Sequence, residues 1–450
     1  MKSLDKKVVL CHGIRTPVGH FSKSLASFSP EDLLTRTIQA LLQKTKLDPA
    51  QVDGVIAGWV GQEAHAPNIA RIVALKAGLP EQTIGVSLQC NCISSIESVA
   101  EAARHILSDE GELFIAGGTE SMSNMPYPIE GHRSSKALRN LETLKKDWGH
   151  LLADTEVTIV DSIEEGLTDQ VKKVNMAGTA EVCAQMLDIT RGEQDGYAHE
   201  NLKRCLEGQK SGFYATHVFP MEQDGKTVLE KDEYPELRKD LAEKPKMFSK
   251  APLLFDNSQF SMRDFYKEYG RYISGKEYEE GKTKGTLTLF NSCPRSDGAA
   301  AVLVTTEEKA KTLGLEILAE IASWGFYGID PAHMGLSPAY STHLALQRAN
   351  LKFSDINLIE LHEAFAATCL GIFKVGKDKF GHDWRLKWEN KELNPHGGSI
   401  AIGHPLGATG TRLLLNLLYA FRKFPQSRYG LIAACASGGM GGTMILKKYN

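Results

Sequence analysis

The stretch SLQCNCISSIESV, residues 87–99, sets two cysteines one residue apart where a short apolar strand turns into a helix. Behind Cys92 the apolar residues recur with the period of an α-helix. Ser94 and Glu97 have the spacing of a capping box, which predicts that the helix begins beside Cys92. Cys90 would then lie on the incoming strand, and the stretch as a whole predicts one strand-to-helix unit of an α/β fold.

Three interpretations of the cysteine pair compete: two small buried hydrophobic residues, half of a metal site, or a nucleophile with a bystander. A Cys-x-Cys alone is weak evidence for zinc, which usually needs paired Cys-x-x-Cys or Cys/His spacings, and the sequence has none. A helix N-terminus favours a thiolate and lowers its pKa. Position therefore favours Cys92 over Cys90 as a nucleophile.

Composition excludes several classes of protein. The chain has 450 residues, is 42% hydrophobic and carries a net charge of −3, which is ordinary for a globular protein of two or three domains. That charge predicts no binding of nucleic acid. No apolar run suggests a leader or an integral membrane segment, and the eight cysteines follow no disulfide pattern. We expect a cytoplasmic protein.

Strands alternate with helices along much of the chain, which predicts a layered α/β fold with largely parallel strands. The segment ELFIAGGTESM (112–122) is echoed by GLIAACASGGM (430–440), each an apolar strand followed by small residues. The echo suggests two related halves. Between about residues 125 and 284 the chain is more polar, which indicates a long excursion inserted in the first half.

Three further stretches place reactive side chains at strand ends or helix starts, where sites form in layered α/β folds. NPHGGSIAIGHPLGATGTR (394–412) carries His404 in a glycine-rich loop before an apolar helix. LHEAFAA (361–367) carries His362 and Glu363 at a strand-to-helix junction, and AACASGGMGG (433–442) carries Cys435 at a strand end. Each has a purely structural alternative, but the four junctions together predict one catalytic site.

Six motifs occur in the order found in the thiolase family, which this chain resembles from about residue 7 to residue 447. The resemblance implies a fold of two related α/β halves with a five-layered α-β-α-β-α core and a long inserted loop domain in the first half. It places the first half at residues 1–306, with the insertion at about 125–284, and the second half at 307–450. The motifs are VVLCHGIRTPVGHF (8–21), CISSIESV (92–99), GGTESMSNMPY (117–127), HEAFAA (362–367), NPHGGSIAIGHPLGATG (394–410) and CASGGMGG (435–442).

The resemblance also implies a role for each residue. Cys92 would be the acylated nucleophile, His404 its activator, and Cys435 the acid and base that moves the α-carbon proton. His362 stands where most of the family has an asparagine that holds an oxyanion-hole water. Backbone or oxyanion support is expected from Ser437, Gly438 and Glu363, and substrate or coenzyme A contacts from Asn291, Cys293 and Met176.

This sequence departs from the family pattern at several places. Ser95 replaces a usual glycine, and Ser437 replaces the glycine whose N–H lines an oxyanion hole, so a side chain would crowd that hole. Cys293 replaces the serine that helps to hold coenzyme A. The segment 256–284 matches nothing in the family pattern, and its charged and aromatic residues suit an exposed insertion, an interface or the lip of a substrate tunnel.

The implied function is a 3-ketoacyl-CoA thiolase, an acetyl-CoA C-acyltransferase of fatty-acid β-oxidation that acts through acyl-Cys92. The histidine at position 362 and SPAYST (337–342) resemble thiolases of the trifunctional-enzyme β-subunit type. Alternatives are a biosynthetic acetoacetyl-CoA thiolase, a β-ketoacyl-synthase-like condensing enzyme, which would lack Cys435, and a non-catalytic subunit that binds acyl-CoA or forms a complex.

The resemblance further implies the partners of the chain. Coenzyme A and acyl-CoA would be substrates, with no resident cofactor and no metal. The chain would form a homodimer or homotetramer, with a multienzyme complex containing a hydratase/dehydrogenase subunit as a further expectation.

Overall fold

The computed structural model describes residues 6–130 and 158–449, and its centre is one mixed ten-stranded sheet. The middle strands are buried along their whole length, because helices cover both faces of the sheet. Two small sheets of two strands each lie outside it. The strands are β1 (Val8–Arg15), β2 (Gly19–His20), β3 (Gly54–Gly58), β4 (Ile84–Leu88), β5 (Leu113–Ser121), β6 (Ile129–Glu130), β7 (Thr158–Ile159), β8 (Met221–Gln223), β9 (Lys226–Leu229), β10 (Ser296–Thr306), β11 (Ala319–Gly328), β12 (Ile356–Leu361), β13 (Tyr429–Ala436) and β14 (Met440–Lys448).

The α-helices of the described residues range from one turn to 20 residues. Short 3₁₀ turns join several of them. The helices are α1 (Pro30–Thr45), α2 (Ile69–Lys76), α3 (Ser94–Leu107), α4 (Ser162–Gly166), α5 (Met176–Met186), α6 (Arg191–Lys210), α7 (Glu233–Leu237), α8 (Lys239–Glu243), α9 (Met262–Tyr269), α10 (Glu307–Thr312), α11 (Ser337–Ala349), α12 (Ala366–Phe380), α13 (Trp384–Glu389), α14 (Ser399–Ile402) and α15 (Thr409–Lys423).

The two halves of the sheet repeat one strand order. The first half runs β4-β3-β5-β10-β1, and the second runs β12-β13-β14-β11. Leu393 forms a parallel bridge to Ile359 of β12, so it takes the place beside β12 that β4 takes beside β3. The two echoed segments form β5 and β13, which occupy equivalent places. The predicted relation between the halves is therefore confirmed.

The strand directions differ from the prediction of a largely parallel sheet, which is wrong. Within the first half β3 is parallel to β4 and β5, but β10 is antiparallel to both β5 and β1. In the second half β12 and β13 are parallel, whereas β14 is antiparallel to β13 and β11. In each half the last strand lies antiparallel beside the first, β10 beside β1 and β14 beside β11. A tight hairpin also joins β13 to β14, and strands joined in this way are antiparallel.

The helices complete a five-layered α-β-α-β-α core, as predicted. Helices α1 and α2 cover the outer face of the first half, and α11 with α12 behind it covers the outer face of the second half. Helices α3 and α15 pack against each other and against strands of both halves. Thirteen residues of α15 are buried, as expected for a helix surrounded by protein on all sides. The middle layer therefore brings the N-termini of α3 and α15 together.

Local sequence explains the boundaries of the clearest helices. Ser29 caps α1 by accepting from the N–H of Asp32 at 3.2 Å, and Pro30 occupies the first turn. Thr190 and Glu193 form a reciprocal capping box at the start of α6. Both starts depend on capping groups that are close together in the sequence.

The polar excursion packs onto the core as a helical lobe. Its unmatched segment 256–284 forms a small apolar cluster in which Phe265 and Met262 pack with Val182 of α5. The carbonyl of Tyr272 lies 2.7 Å from the Nε2 atom of His333, which joins the segment to the second half. Residues 131–157 of the predicted insertion lie outside the described residues, and the domain boundary after residue 306 stays a prediction. Within the described ranges, no helix has both the length and the apolar character to cross a membrane.

Candidate active site

Cys92 lies in a tight turn between β4 and α3, and part of its surface is accessible. Asn91 before it adopts the left-handed conformation, with a φ of 51°, and reverses the chain. The hydroxyl of Ser94 donates to the Asn91 carbonyl at 2.6 Å and accepts from the N–H of Cys90 at 2.9 Å. The predicted capping box is wrong, because Ser94 is already helical and its hydroxyl holds the turn rather than the first amides of the helix.

The sequence predicts a lowered pKa for Cys92, and the structure shows the opposite direction. Burial of the thiol raises its pKa to about 12, against the smaller effects of the backbone N–H groups of Ser437 and of Cys92 itself. Burial outweighs the helix terminus because a thiolate loses its hydration there. Cys92 is therefore a neutral thiol at rest, and the predicted nucleophilic role would require a base that removes the proton.

Cys435 reaches the same place from the second half of the chain. It lies near the end of β13 and is 2% exposed. In the turn behind it, the carbonyl of Ser437 accepts from the side chain of Asn91 at 3.1 Å, and the N–H of Ser437 is directed at the Cys92 sulfur. Burial and the neighbouring thiols of Cys92 and Cys293 raise the pKa of Cys435 well above its ordinary value.

His404 is held in the glycine-rich loop between α14 and α15. Gly403 before it has a φ of 117°, and a Cβ there would lie 2.2 Å from the Ser296 hydroxyl, so the position requires glycine. The Nδ1 atom of His404 lies 2.7 Å from Oγ1 of Thr409, whose hydroxyl donates to the Pro405 carbonyl at 2.9 Å. Because a hydroxyl has one hydrogen, Thr409 accepts from Nδ1–H, and Nε2 of His404 carries the lone pair.

The lone pair on Nε2 leaves His404 able to accept a proton. Burial and the charge of Arg412 lower the pKa of His404 to about 3, so the ring is neutral near pH 7. Its buried Nε2 has no hydrogen-bond partner within the described residues. Leu406 from the same loop packs in a cluster against Cys92, and the N–H of Thr411 donates to the Ser95 hydroxyl at 3.0 Å. These contacts bring the His404 loop to the Cys92 turn.

His362 follows β12 and faces His404. Its N–H donates to the carbonyl of Ala433 at 2.8 Å, and its Nδ1 lies 2.8 Å from the Ser399 hydroxyl. The rings of His362 and His404 have their centroids 4.1 Å apart. Nε2 of His362 is also buried, and the described part of the chain offers it no partner. Two neutral imidazoles thus lie side by side, each with a buried Nε2 atom.

Glu363, the residue after His362, holds the segment that leads to His404 through hydrogen bonds of its carboxylate. Its carboxylate accepts from Tyr197 at 2.9 Å, from the side chains of Asn201 and Asn394, and from the N–H of Ile400 at 3.3 Å. Burial raises the pKa of Glu363, against the smaller lowering effects of Asn394, Tyr197 and the N–H of Ile400. The sequence predicts a supporting role for Glu363, and this network is of the kind that such a role needs.

The predicted binding residues lie in different surroundings. Cys293 is half-buried beside Cys92, with its N–H bonded to the Ala364 carbonyl at 3.0 Å. The amide of Asn291 is wholly buried and orders its own loop, with Nδ2 3.1 Å from Asp195. Met176 is a core residue at the start of α5, and Gly438 lies exposed in the β13–β14 turn with a φ of 83°. Their contacts with a ligand stay predictions.

Three buried polar residues of the quoted stretches were not predicted from the sequence: Glu120, Ser399 and Arg412. Glu120 accepts from the N–H groups of Gly61 at 2.9 Å and Gly407 at 3.0 Å, and so ties the His404 loop to the end of β3. Arg412 donates to Ser399 at 2.6 Å. A charged residue inside an otherwise apolar helix was the signal available for Arg412, but nothing local distinguishes Ser399.

The site offers no arrangement for a metal ion. Nowhere in residues 6–130 or 158–449 do three His, Cys, Asp or Glu side chains group as a metal site requires. The chemistry available is that of thiols, imidazoles and backbone N–H groups. Such a set can form and break thioesters, because a soft nucleophile, a base and fixed donors are all present.

The buried carboxyl group of Glu360, behind the site, should make the stability of the fold depend on pH. Burial raises its pKa to about 8, and Asn416 donates to it at 3.2 Å. The folded chain therefore keeps a proton that the unfolded chain releases above pH 4.5, so stability from this group is lost as the pH rises toward 8.

We expect Glu360→Gln to stabilise the protein at about pH 9 by at least about 1.4 kcal/mol, the equivalent of one pKa unit, and much less at about pH 5. Denaturant unfolding at both values measures this. Glu222→Gln, at an exposed carboxylate, is the matched control. An equal effect of Glu360→Gln at both pH values would contradict the prediction.

Comparison with known proteins covers nearly the whole chain. Residues 8–250 match the family described as Thiolase, N-terminal domain, and residues 315–448 match Thiolase, C-terminal domain. An acetyl-CoA acetyltransferase of Chromobacterium violaceum is 33% identical over 442 residues, which cover 98% of this chain and 100% of that protein. A probable acetyl-CoA acetyltransferase of Escherichia coli strain K12 is 31% identical over 447 residues, with 98% and 99% covered.

Solved structures agree with these matches. Human mitochondrial 3-ketoacyl-CoA thiolase in complex with CoA superposes with a TM-score of 0.82 at 28% identity, covering 99% of this chain and 98% of that chain. An acetyl-CoA acetyltransferase of Bacillus anthracis superposes with a TM-score of 0.79 at 27% identity. The sequence matches and the structural matches therefore indicate the same group of proteins over nearly the full length of the chain.

Proposed function

The chain belongs to the thiolase family and is an acyltransferase, and from that premise we propose that it cleaves 3-ketoacyl-CoA with a second molecule of coenzyme A. The products are acetyl-CoA and an acyl-CoA shortened by two carbons. The observation that carries the proposal is that Cys92 lies beside Cys435, that His362 lies beside His404, and that the His404 loop packs onto the Cys92 turn.

The first step forms an acyl-enzyme. Cys92 gives its proton to Nε2 of His404, and its sulfur attacks the 3-keto carbon of the substrate. Charge develops on the keto oxygen, and we assign its stabilisation to the N–H groups of Cys92 and Ser437, because both lie beside the sulfur to which the keto carbon becomes bonded. One such donor typically contributes about 3–4 kcal/mol to lowering the barrier.

The second step breaks the carbon–carbon bond between the former 3-keto carbon, now bonded to the Cys92 sulfur, and the α-carbon of the acetyl-CoA part. Its electron pair passes to the acetyl-CoA part as a carbanion, whose charge spreads to the thioester oxygen. His362 and the now protonated His404 donate to that oxygen through their Nε2 atoms. The Cys435 thiol protonates the carbon, because it is the second acid at the site.

The last step returns every group to its starting state. Cys435 takes the thiol proton of the incoming coenzyme A, whose sulfur attacks the acyl-Cys92 thioester. The Cys92 sulfur leaves and recovers its proton from His404. Coenzyme A is a substrate in this scheme, and no resident cofactor takes part.

Degradation of fatty acids is the pathway we propose. It is supported by His362 and SPAYST (337–342), which resemble degradative thiolases of the trifunctional-enzyme type, and by the human 3-ketoacyl-CoA thiolase among the similar structures. The names of the similar acetyl-CoA acetyltransferases favour a second candidate, the formation or cleavage of acetoacetyl-CoA. Assembly into a homodimer or homotetramer, a complex with a hydratase/dehydrogenase subunit, and a cytoplasmic location stay predictions.

Kinetics with 3-ketoacyl-CoA substrates of four to sixteen carbons distinguish the two candidates. A degradative enzyme should have a higher kcat/KM on longer substrates, whereas an acetoacetyl-CoA thiolase should act on the four-carbon substrate alone. The absence of coenzyme A-dependent cleavage for every length would contradict the proposed function.

His362 is expected to act as an oxyanion donor, and its replacement tests that role. His362→Ala should lower kcat about a hundredfold with little change in KM, because an oxyanion donor acts mainly in the transition state. His362→Asn should lose less, about tenfold, because an asparagine can hold a water in the arrangement used elsewhere in the family. Steady-state kinetics on one substrate measures both variants.

The control is His382→Ala, which removes another buried histidine, stacked on Phe353 and outside the site. It should change stability without a selective loss of kcat. If both His362 variants lost activity equally and only through KM or thermal stability, His362 would be structural.

A further inference from the structure

We propose that Ser399 is a positioning residue that holds His362 in the neutral tautomer with its proton on Nε2, and that Arg412 in turn orients the Ser399 hydroxyl. The inference rests on the proposed function, because it explains how His362 becomes a ready hydrogen-bond donor for a thioester oxygen. Neither residue touches the substrate in this scheme. Both act through His362.

The three side chains form one buried chain of hydrogen bonds. Nη2 of Arg412 lies 2.6 Å from Oγ of Ser399, and that Oγ lies 2.8 Å from Nδ1 of His362. Arg412 and His362 are 1% exposed, and Ser399 is 0% exposed. Water therefore does not compete for these bonds, and their direction is decided by the number of hydrogens that each group has.

Counting hydrogens assigns the direction of each bond. A guanidinium only donates, so Ser399 accepts from Arg412. The single hydroxyl hydrogen of Ser399 then requires an acceptor, and among the described residues the one within reach is Nδ1 of His362. A neutral imidazole that accepts at Nδ1 carries its proton on Nε2.

The neighbouring histidine has the opposite tautomer. Thr409 accepts from Nδ1–H of His404, which leaves a lone pair on Nε2 of that ring. The two Nε2 atoms that face the site are therefore complementary: His362 donates, and His404 accepts the proton of Cys92. The hydroxyl beside each ring, Ser399 for His362 and Thr409 for His404, therefore determines which imidazole donates and which accepts.

The charge of Arg412 supports the same assignment. Burial, His404 and Arg412 all lower the pKa of His362 well below its ordinary value, so the ring stays neutral. Nε and Nη1 of Arg412 are buried with no hydrogen-bond partner in the described part of the chain. A buried cation in this position disfavours a second positive charge on His362, so that ring acts as a neutral donor.

A double-mutant cycle tests the inference. Ser399→Ala should lower kcat by about ten- to a hundredfold, by analogy with groups that orient a metal-bound histidine, with KM within about twofold. In a His362→Asn background the same change should alter kcat less than about twofold, because there is no imidazole to orient. Ser399→Thr keeps the hydroxyl and should retain most of the activity.

Ser341→Ala is the matched control, since this serine is also buried and its hydroxyl bonds another side chain, Thr443, outside the site. It should leave kcat unchanged. Equal losses from Ser399→Ala in both backgrounds would make Ser399 a merely structural residue and overturn the inference, as would no loss in either.

A measurement without turnover separates this inference from the proposed function. In protein labelled with ¹⁵N-histidine, the His362 signal, identified by its absence in His362→Asn, should show the tautomer protonated at Nε2, and Ser399→Ala should abolish that preference. A tautomer protonated at Nδ1 would overturn the inference even in an active thiolase. An inactive protein with His362 protonated at Nε2 would instead contradict the proposed function alone.

Discussion

Cys92→Ser is expected to lower thiolytic turnover by at least about 10⁴-fold, since removing the nucleophile of a covalent enzyme costs up to about 10⁶-fold. The thiol of Cys92 already has its pKa raised to about 12 by burial, and a hydroxyl in the same place is a far weaker acid. His404 would then fail to remove the proton. The fold should stay intact, because the side-chain volume hardly changes.

Mass analysis of peptides after trapping with substrate identifies the acylated residue. We expect the acyl group on Cys92 of the unmodified enzyme and on no peptide of Cys92→Ser. Cys90→Ser is the control, because Cys90 is two residues away and also half-buried, yet no contact brings it to His404 or Cys435 within the described residues. An acyl group on Cys90 or Cys435 would contradict the assignment of Cys92.

Cys435→Ala is expected to have the second largest effect and to separate the two chemical steps. The variant should still form acyl-Cys92 from a reactive thioester, because the base His404 and the donors of Cys92 and Ser437 remain. It should lose the exchange of the α-protons of acetyl-CoA with solvent deuterium, and thiolysis should fall about 10²- to 10⁴-fold, the usual contribution of an acid–base group.

Mass spectrometry of acetyl-CoA in deuterium oxide measures the exchange. Cys11→Ala is the control, because burial also raises the pKa of Cys11 to about 12, but that thiol lies in the outer core between the first half of the sheet and its helices. Normal exchange in Cys435→Ala would mean that another group moves the proton.

The sequence alone was sufficient for the fold class, the related halves and the placement of the candidate site residues at strand ends or beside helix starts. Helical periods and strand ends are local patterns, so Cys435 and His362 could be placed at strand ends and His404 before a helix. The cap of α1 was predictable for the same reason, since Ser29 and Asp32 are three residues apart. The order of six motifs identified the family.

Only the tertiary structure decided the strand directions and the state of the reactive groups. The raised pKa of Cys92 results from segments far apart in the chain that pack around the thiol, and a helix terminus read from sequence does not contain that information. The tautomers of His362 and His404 likewise depend on which hydroxyl lies beside each ring. Ser399 reaches His362 across 37 residues of chain, and burial makes that one contact decisive, because no solvent remains to offer an alternative partner.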